Sequence, residues 1–324
     1  MISMIQNSSK NLAIVGAGNI GFRHFQGALS SKFDFVIYVV DPLINKMKNN
    51  FFDQLDLASK KKVIFLDDIK SLPSKIDMLI CATTSSVRFN LMMKLIDRVK
   101  VNVIILEKIV FQQIEHFKIF EEKIEHLDTQ VFINCPQRYY EFYNIVKNLV
   151  SDKSIDMASY GNNWNLASNA IHVIDLFCFL TDDYQVNINC KNFLDDVIRS
   201  KRSGFFDIKG SLEISNSRGR LILEDLNKYD YMQKFYINTP QINICIDEIN
   251  NEIVSNYEEK KFLDYTFPYQ SNLTGQYIDE IFESNNINLV SFKLCSQYHI
   301  PMLEAFNEHF SKIFNKNINS CPIS

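Results

Sequence analysis

Ala13-Ile14-Val15-Gly16-Ala17-Gly18-Asn19-Ile20-Gly21-Phe22-Arg23-His24 decides the architecture of the N-terminal half. An apolar, strand-forming run ends in G-x-G-x-x-G and passes directly into a helical pattern. Gly16 permits a tight turn, Gly18 lets the backbone approach a bound group, and Gly21 lets the helix pack close to the strand. Asn19 and Ile20 open that helix, whose N–H groups and positive dipole end attract phosphate. Asp41 stands twenty residues after Gly21, closing the apolar run Phe35-Val36-Ile37-Tyr38-Val39-Val40. A carboxylate at that point accepts hydrogen bonds from both hydroxyls of an adenosine ribose and repels a 2′-phosphate. No Arg follows at once to neutralise it. The combined spacing predicts a dinucleotide site that takes NAD in preference to NADP.

Outward from this loop, strand-like runs at 12–16, 34–40, 63–66, 77–82, 101–106 and 130–134 alternate with helical patterns near 19–30, 42–53, 86–98 and 111–126. Such alternation specifies an α/β Rossmann domain over residues 1–135, a doubly wound parallel sheet with helices on both faces. After Pro136 the rhythm changes to a helix at about 138–150, a strand at 154–161 and a strongly apolar helix at about 168–180. From 184 to 267 helical patterning nearly vanishes, and alternating stretches such as Phe206-Asp207-Ile208-Lys209-Gly210-Ser211-Leu212-Glu213-Ile214 take over. Asn216-Ser217-Arg218-Gly219 supplies a turn before Leu221-Ile222-Leu223, and helices near 269–285 and 295–315 finish the chain. Residues 136–324 therefore read as an α+β domain with a large, mainly antiparallel open sheet, suited to substrate binding and oligomerisation.

Composition narrows the setting. A length of 324 residues accommodates two domains, and a net charge of −4 leaves no electrostatic footprint for nucleic acid. The longest basic run, Lys60-Lys61-Lys62, reads as a solvated turn before a strand. Seven cysteines form no C-x-x-C pair, and their odd number points to reduced thiols in the cytoplasm. Met1 to Lys10 lacks the pattern of a signal peptide, and no stretch reaches the ~18 apolar residues of a membrane helix. Soluble small molecules are the expected partners, with no membrane involved.

Several side chains can carry chemistry. The strand Val101 to Leu106 ends in Glu107-Lys108, placing a lysine at the carboxyl edge of the parallel sheet. There its ammonium can hydrogen-bond a substrate hydroxyl and stabilise developing negative charge. His172 and Asp175 lie three apart on one helical face, so the carboxylate can orient an imidazole serving as general base. Arg138 has the planar fork that suits a carboxylate or phosphate. Trp164 can stack on a sugar face, and Asn163, Asn165 and Asn169 can bond hydroxyls. No second His or Cys stands at a ligand spacing from His172, so no metal is expected.

These residues also resemble the glucose-fructose oxidoreductase and inositol dehydrogenase family, Gfo/Idh/MocA. Gly16 to His24 is similar to the family's opening, Ala82-Thr83 to the end of its fourth strand, Glu107-Lys108 to its E-K-P, and His172-x-x-Asp175 to the end of its D-x-G-x-H-x-x-D. Asn134 to Tyr139 resembles an N-x-R-x segment, with Cys135-Pro136-Gln137 inserted before Arg138. The resemblance implies oxidation or reduction of a carbinol carbon on a sugar or cyclitol, often nucleotide-linked. Gly16, Gly18, Asn19, Ile20, Gly21, Asp41, Ala82, Thr83, Glu107 and Lys108 would then hold the cofactor, and Lys108 and His172 would be catalytic. Arg138, Trp164, Asn165, Asn169 and Asp175 would contact substrate, and the open sheet would form the interface of a homodimer or homotetramer. Three positions depart from the family: Ile109 replaces a proline, Ser168 an acidic residue and Ala170 a glycine. A redox-neutral enzyme that retains its NAD, and a protein that senses NAD or a sugar without turnover, are the competing readings.

Overall fold

The structure is a computed structural model describing residues 10–55, 62–284 and 287–324. Residues 1–9 of the Met1 to Lys10 segment and Lys60-Lys61 of the basic run lie outside the described residues. The chain forms two compact units that interleave along the sequence, where a single boundary at 135 is the sequence expectation. The first comprises Met1–Glu107, Ile124–Phe132 and Tyr269–Ile287, and the second Lys108–Lys123, Ile133–Pro268 and Asn288–Ser324.

The first unit opens with β1 (Lys10–Val15), α1 (Asn19–Leu29), β2 (Phe35–Val40), α2 (Ile44–Phe52), β3 (Lys62–Leu66), β4 (Lys75–Cys81), α3 (Ser85–Ile96) and β5 (Lys100–Leu106). Helix α4 (Ile114–Glu125), most of which belongs to the second unit, and strand β6 (Gln130–Ile133) follow in the chain. The strands lie in the order β6-β5-β4-β1-β2-β3, and β1–β2, β2–β3, β1–β4 and β4–β5 pair in parallel. Their centres are apolar on both faces: Leu12, Ala13, Ile14, Ile80, Ile104 and Ile105 are fully buried, as a parallel sheet covered by helices demands. The chain runs outward from β1 to β3 and then returns to β4 on the other side of β1. That reversal is a topological switch point, and the Gly16 turn sits in it.

The second unit contains α5 (Glu141–Leu149), β7 (Ile155–Gly161), α6 (Leu166–Thr181), β8 (Asn187–Phe193), β9 (Ile198–Arg199), β10 (Phe206–Asp207), β11 (Gly210–Asn216) and β12 (Gly219–Asp225). It continues with β13 (Gln233–Asn238), β14 (Asn243–Asp247), β15 (Glu252–Ser255) and α7 (Lys260–Leu263); α8 (Gln270–Ser284) returns to the first unit before α9 (Phe292–Phe314). The large sheet has the order β15-β14-β13-β7-β12-β11-β8. It is antiparallel except where β7 pairs with β12 in parallel. β7 thus enters the middle of what the sequence presents as a meander. Alternation reports which side chains share a face and is silent on strand order, so this insertion is invisible to it. Leu212, Ile214, Leu221, Leu223, Phe235 and Ile237 form the buried face, over which α6 packs with thirteen of its sixteen residues buried. The other face mixes Asp156, Glu213 and Arg220 with Ile222, Tyr236 and the 70% exposed Val254.

Helix α8 joins the first unit by close packing on α1. A Cβ on Gly275 would stand 2.8 Å from the carbonyl oxygen of Gly27, so only glycine allows this approach. Ser31 donates to Asp279 at 2.6 Å, and Phe33 meets Phe282 edge to face. Among the described residues no helix is long and apolar enough to cross a membrane.

One half-buried acid in the second unit has a measurable consequence. Glu248 accepts hydrogen bonds from the Tyr143 hydroxyl at 2.5 Å and from Gln137 Nε2 at 3.4 Å. Burial pushes its carboxyl up to about 7, against the lowering effect of those two donors. Its folded value lies above the unfolded one, so its contribution to stability is complete below about 4.5 and is lost as pH rises through 7. Replacing Glu248 with Gln should therefore flatten the pH dependence of unfolding. The stability of the variant relative to the parent should improve between pH 5 and pH 8, by up to about 3 kcal/mol. Urea unfolding at the two pH values measures this, and parallel stability curves for parent and variant would refute it.

Candidate functional site

The glycine loop of the first unit assigns separate tasks to its three glycines. Gly16 has a φ of +97°, and its N–H donates to the carbonyl of Val40 at 2.8 Å. A Cβ there would lie 2.8 Å from the Thr83 nitrogen and 2.9 Å from the Ala82 carbonyl carbon. On Gly21 it would overlap the Gly16 carbonyl oxygen at 1.8 Å, whereas on Gly18 it would meet nothing within 4 Å. Gly16 and Gly21 therefore serve the fold, and the exposed Gly18 keeps the outer side of the loop open. Helix α1 starts at Asn19 with no side-chain cap, leaving the N–H groups of its first turn to an incoming anion. Asp41 stands over the same loop: Oδ2 accepts from Ala17 N at 2.9 Å and Oδ1 from Leu43 N at 2.8 Å. Each oxygen keeps a second lone pair for ribose hydroxyls. An uncapped helix N-terminus, an open glycine and an anchored carboxylate fit a dinucleotide.

Behind the loop lies a buried polar brace. His24 is 2% exposed, with Nδ1 2.8 Å from Thr274 Oγ1 and Nε2 2.9 Å from Glu107 Oε1. Glu107, assigned above to the cofactor, is itself buried and its carboxylate engages His24. A carboxylate taken out of water needs such a partner. Arg88, 1% exposed, donates to the carbonyls of Thr83 and Glu107 and ties together the ends of β4 and β5. His24, Thr274 and Arg88 were missed by sequence reasoning. The available signal was a polar residue on the apolar face of α1, flanked by the buried Phe25 and Ala28.

In the second unit the structure brings Lys108 to the start of α6. The Lys108–Ile109 peptide bond is cis. Lys108 Nζ donates to the Ser168 carbonyl at 2.9 Å and to Asn169 Oδ1 at 3.0 Å. The half-buried His172 follows three residues after Asn169 on the same helix. Asn165 is exposed and takes a left-handed conformation, φ +61°, at the helix start. Asn169, expected to bond a sugar hydroxyl, instead uses both ends of its amide internally: Oδ1 faces Lys108 and Nδ2 donates to the Trp164 carbonyl at 2.6 Å.

Three further expectations are corrected. Trp164 is 1% exposed and its indole N–H donates to the Glu224 carbonyl at 2.7 Å, so its ring presents no face to a sugar. Arg138 is buried and bidentate on Asp175, at 2.9 and 2.8 Å, which removes it as a clamp for a substrate anion. Asp175 also accepts from the Tyr298 hydroxyl at 2.6 Å; its oxygens are committed to Arg138 and Tyr298 and do not serve to orient His172. A buried guanidinium requires a buried counter-charge, and Asp175 supplies it. Burial works against the charge on Arg138, but the Asp175 carboxylate outweighs it and holds the guanidinium more firmly protonated than in water. Burial and the same carboxylate push the Tyr298 phenol well up. Among the described residues no group of three His, Cys, Asp or Glu side chains could hold a metal ion.

The Rossmann sheet with this loop, and the mainly antiparallel second sheet, define a two-domain dinucleotide-binding oxidoreductase fold. The family model described as the oxidoreductase family's NAD-binding Rossmann fold matches residues 10–135. Residues 10–135 thus match the NAD-binding Rossmann domain of the Gfo/Idh/MocA oxidoreductases. UDP-N-acetylglucosamine 3-dehydrogenase from Acidithiobacillus ferrooxidans is similar in structure at a TM-score of 0.66 and 11% identity, over 92% of this chain and 96% of that one. Myo-inositol dehydrogenase from Lactobacillus casei, solved with NAD(H) and myo-inositol, is similar at 0.64 and 14%, over 94% and 95%. A super-repressor mutant of Gal80p from Saccharomyces cerevisiae is similar at 0.67 and 15%, over 96% and 98%. No curated protein sequence matches the chain significantly.

The distinct tasks of the glycines can be separated experimentally. Gly18→Ala should leave the melting temperature within a degree or two while weakening NADH binding about tenfold or more, because the methyl group would enter the space a pyrophosphate needs. Gly16→Ala should destabilise the protein by about 1–3 kcal/mol, since it strains a positive φ and crowds Thr83. Calorimetry and fluorescence titration of the two variants measure both effects, and equal effects on stability would contradict the assignment.

Proposed function

We propose that this chain is an NAD-dependent oxidoreductase transferring a hydride to or from a carbinol or keto carbon of a sugar, a nucleotide-activated or acidic sugar used for surface glycans. The observation that carries this reading is that the chain holds a complete dinucleotide loop in one unit and a lysine at the start of a histidine-bearing helix in the other. The similar folds that act on UDP-N-acetylglucosamine and myo-inositol support a cyclic polyol as substrate class. Asp41, fixed beside the loop, favours NAD over NADP. When bound, NAD supplies the hydride acceptor or donor at its nicotinamide ring. Lys108 then holds the reacting oxygen and stabilises its partial negative charge through an N–H bond. His172 takes the hydroxyl proton in the oxidative direction, as suits an imidazole with an ordinary pKa of about 6.5. Exposed Asn165 offers an amide to a ring hydroxyl. The seven cysteines are free thiols, in keeping with a cytoplasmic enzyme. The solvent face of the large sheet, with its row of Ile222, Ala158, Tyr236, Cys245 and Val254, is the surface on which two or four copies would associate.

A second reading is a sensor that binds NAD or a sugar without turnover. Ser168, standing where an acidic side chain is the family norm, and the similarity to a repressor protein favour it.

Turnover of a panel of nucleotide-sugars with NAD separates the two. On an active substrate, His172→Asn and Lys108→Met should each lower the single-turnover rate about a hundredfold or more with NADH affinity nearly unchanged, and Ser168→Ala much less. Tight NADH binding with no product from any sugar would establish the sensor, and tighter binding of NADPH than of NADH would overturn the cofactor assignment. Light scattering should give at least a dimer; a monomer at micromolar concentration removes the proposed interface.

A further inference from the structure

The Lys108 ammonium is aimed by a chain of partly buried hydrogen bonds that begins far from it in sequence, at Asp225. Asp225, at the end of β12, is 1% exposed. Its carboxylate accepts from Asn163 N at 2.7 Å, from Asn165 N at 3.1 Å and from Lys209 Nζ at 2.5 Å, and Lys209 also donates to Asn162 Oδ1 at 2.9 Å. Asp225 and Lys209 thus pin the segment 162–165 through three hydrogen bonds. Asn163 and Asn165 both adopt positive φ, +59° and +61°, a conformation asparagine tolerates better than most residues. Trp164, between them, is locked by its indole bond to Glu224. The carbonyl of Trp164 is therefore held in place, and it accepts from Asn169 Nδ2 at 2.6 Å.

The Asn169 amide has no ambiguity in this setting. A backbone carbonyl only accepts and an ammonium only donates, so Nδ2 must face Trp164 and Oδ1 must face Lys108. A flipped amide would put donor against donor and acceptor against acceptor at once. We infer that Asn169, oriented by the Asp225-pinned loop, is a positioning residue that sets the direction and basicity of the Lys108 amine. Its acceptor is a neutral amide oxygen, and the neighbouring Ser168 contributes only its carbonyl to the same amine. The catalytic weight of this arrangement rests on the oxidoreductase reading above; the arrangement itself does not.

The test reads Lys108 directly, on the full chain without cofactor or substrate. Acylation of lysines by a trace of acetic anhydride, followed residue by residue by mass spectrometry across pH, reports how much of each amine is unprotonated. A hydrogen-bond acceptor favours the ammonium form, so Asn169→Leu should raise Lys108 labelling about three- to tenfold at a fixed pH below its pKa. Asn169→Asp keeps the acceptor and adds charge, so it should lower labelling instead. Asp225→Asn should shift Lys108 in the same direction as Asn169→Leu although Asn169 is intact. Unchanged labelling of the remaining lysines, Lys209 aside, excludes unfolding as the cause. Should Asn169→Leu fail to fold, the opposite signs expected for Asn169→Asp and Asp225→Asn still decide the matter. Lys108 labelling that matches the parent in all folded variants overturns the inference. If labelling shifts as expected while the parent turns over no sugar, the positioning stands and the oxidoreductase reading fails. If His172→Asn abolishes turnover while Lys108 labelling is indifferent to residues 169 and 225, the reverse holds.

Discussion

The crowding at the end of β1 is the constraint on which the first unit turns. Gly16 must place its backbone where any Cβ would press on the chain leaving β4, and its own carbonyl must sit where any side chain at Gly21 would overlap it. These two contacts set how closely α1 approaches the sheet and therefore where its uncapped N-terminus emerges. The remaining polar groups behind the loop follow from it. With the strand ends brought so close, their last carbonyls are out of reach of water, and the Arg88 guanidinium satisfies those of Thr83 and Glu107. The Glu107 side chain, displaced inward, finds His24, and His24 in turn finds Thr274 on α8.

The second unit solves a different problem, that of burying charge beneath an open sheet. Arg138 with Asp175 and Lys209 with Asp225 are both hydrogen-bonded ion pairs with little exposure. Such pairs contribute less to net stability than to uniqueness of structure, because losing one partner leaves an uncompensated charge while the intact pair roughly offsets its own desolvation. One pair anchors the start of the site helix and the other its middle. Asp225 holds the loop that leads into α6, and Asp175 ties the middle of α6 through Arg138 to the segment after β6 and through Tyr298 to α9. Asp207 completes the scheme by accepting from Ala167 N at 2.8 Å, occupying a donor in the first turn of α6 that would otherwise be unpaired.

Much of the fold was legible because it rests on periodicity. The strands and helices of the first unit fall within a few residues of the runs read from hydrophobic alternation, and the glycine spacing located the loop. The order of strands in the second sheet was not legible, since β7 presents the same two-residue alternation whichever neighbours it takes. The assignment of α8 to the first unit was likewise hidden, because it depends on one small residue, Gly275, meeting α1 at close range. The site was legible by residue type more than by use. Lys108 proved to lie at the start of the helix that carries His172, but Arg138, Asp175, Trp164 and Glu107 carry the chemical groups of a binding site while serving as internal supports. A sequence displays an arginine and an aspartate; only the structure shows that they are each other's partner.

That distinction bears on how this chain accommodates its departures from the family pattern. Removing a carboxylate at position 168 takes away a charge that could both relay a proton and hold a lysine. Here the holding is done by neutral oxygens, the Ser168 carbonyl and the Asn169 amide. A neutral acceptor fixes direction nearly as well as an anion but stabilises the ammonium less. Two such acceptors leave the lysine well aimed. The direction that an acidic residue at 168 would supply is in this chain delegated to Asn169 and to a loop fixed by Asp225.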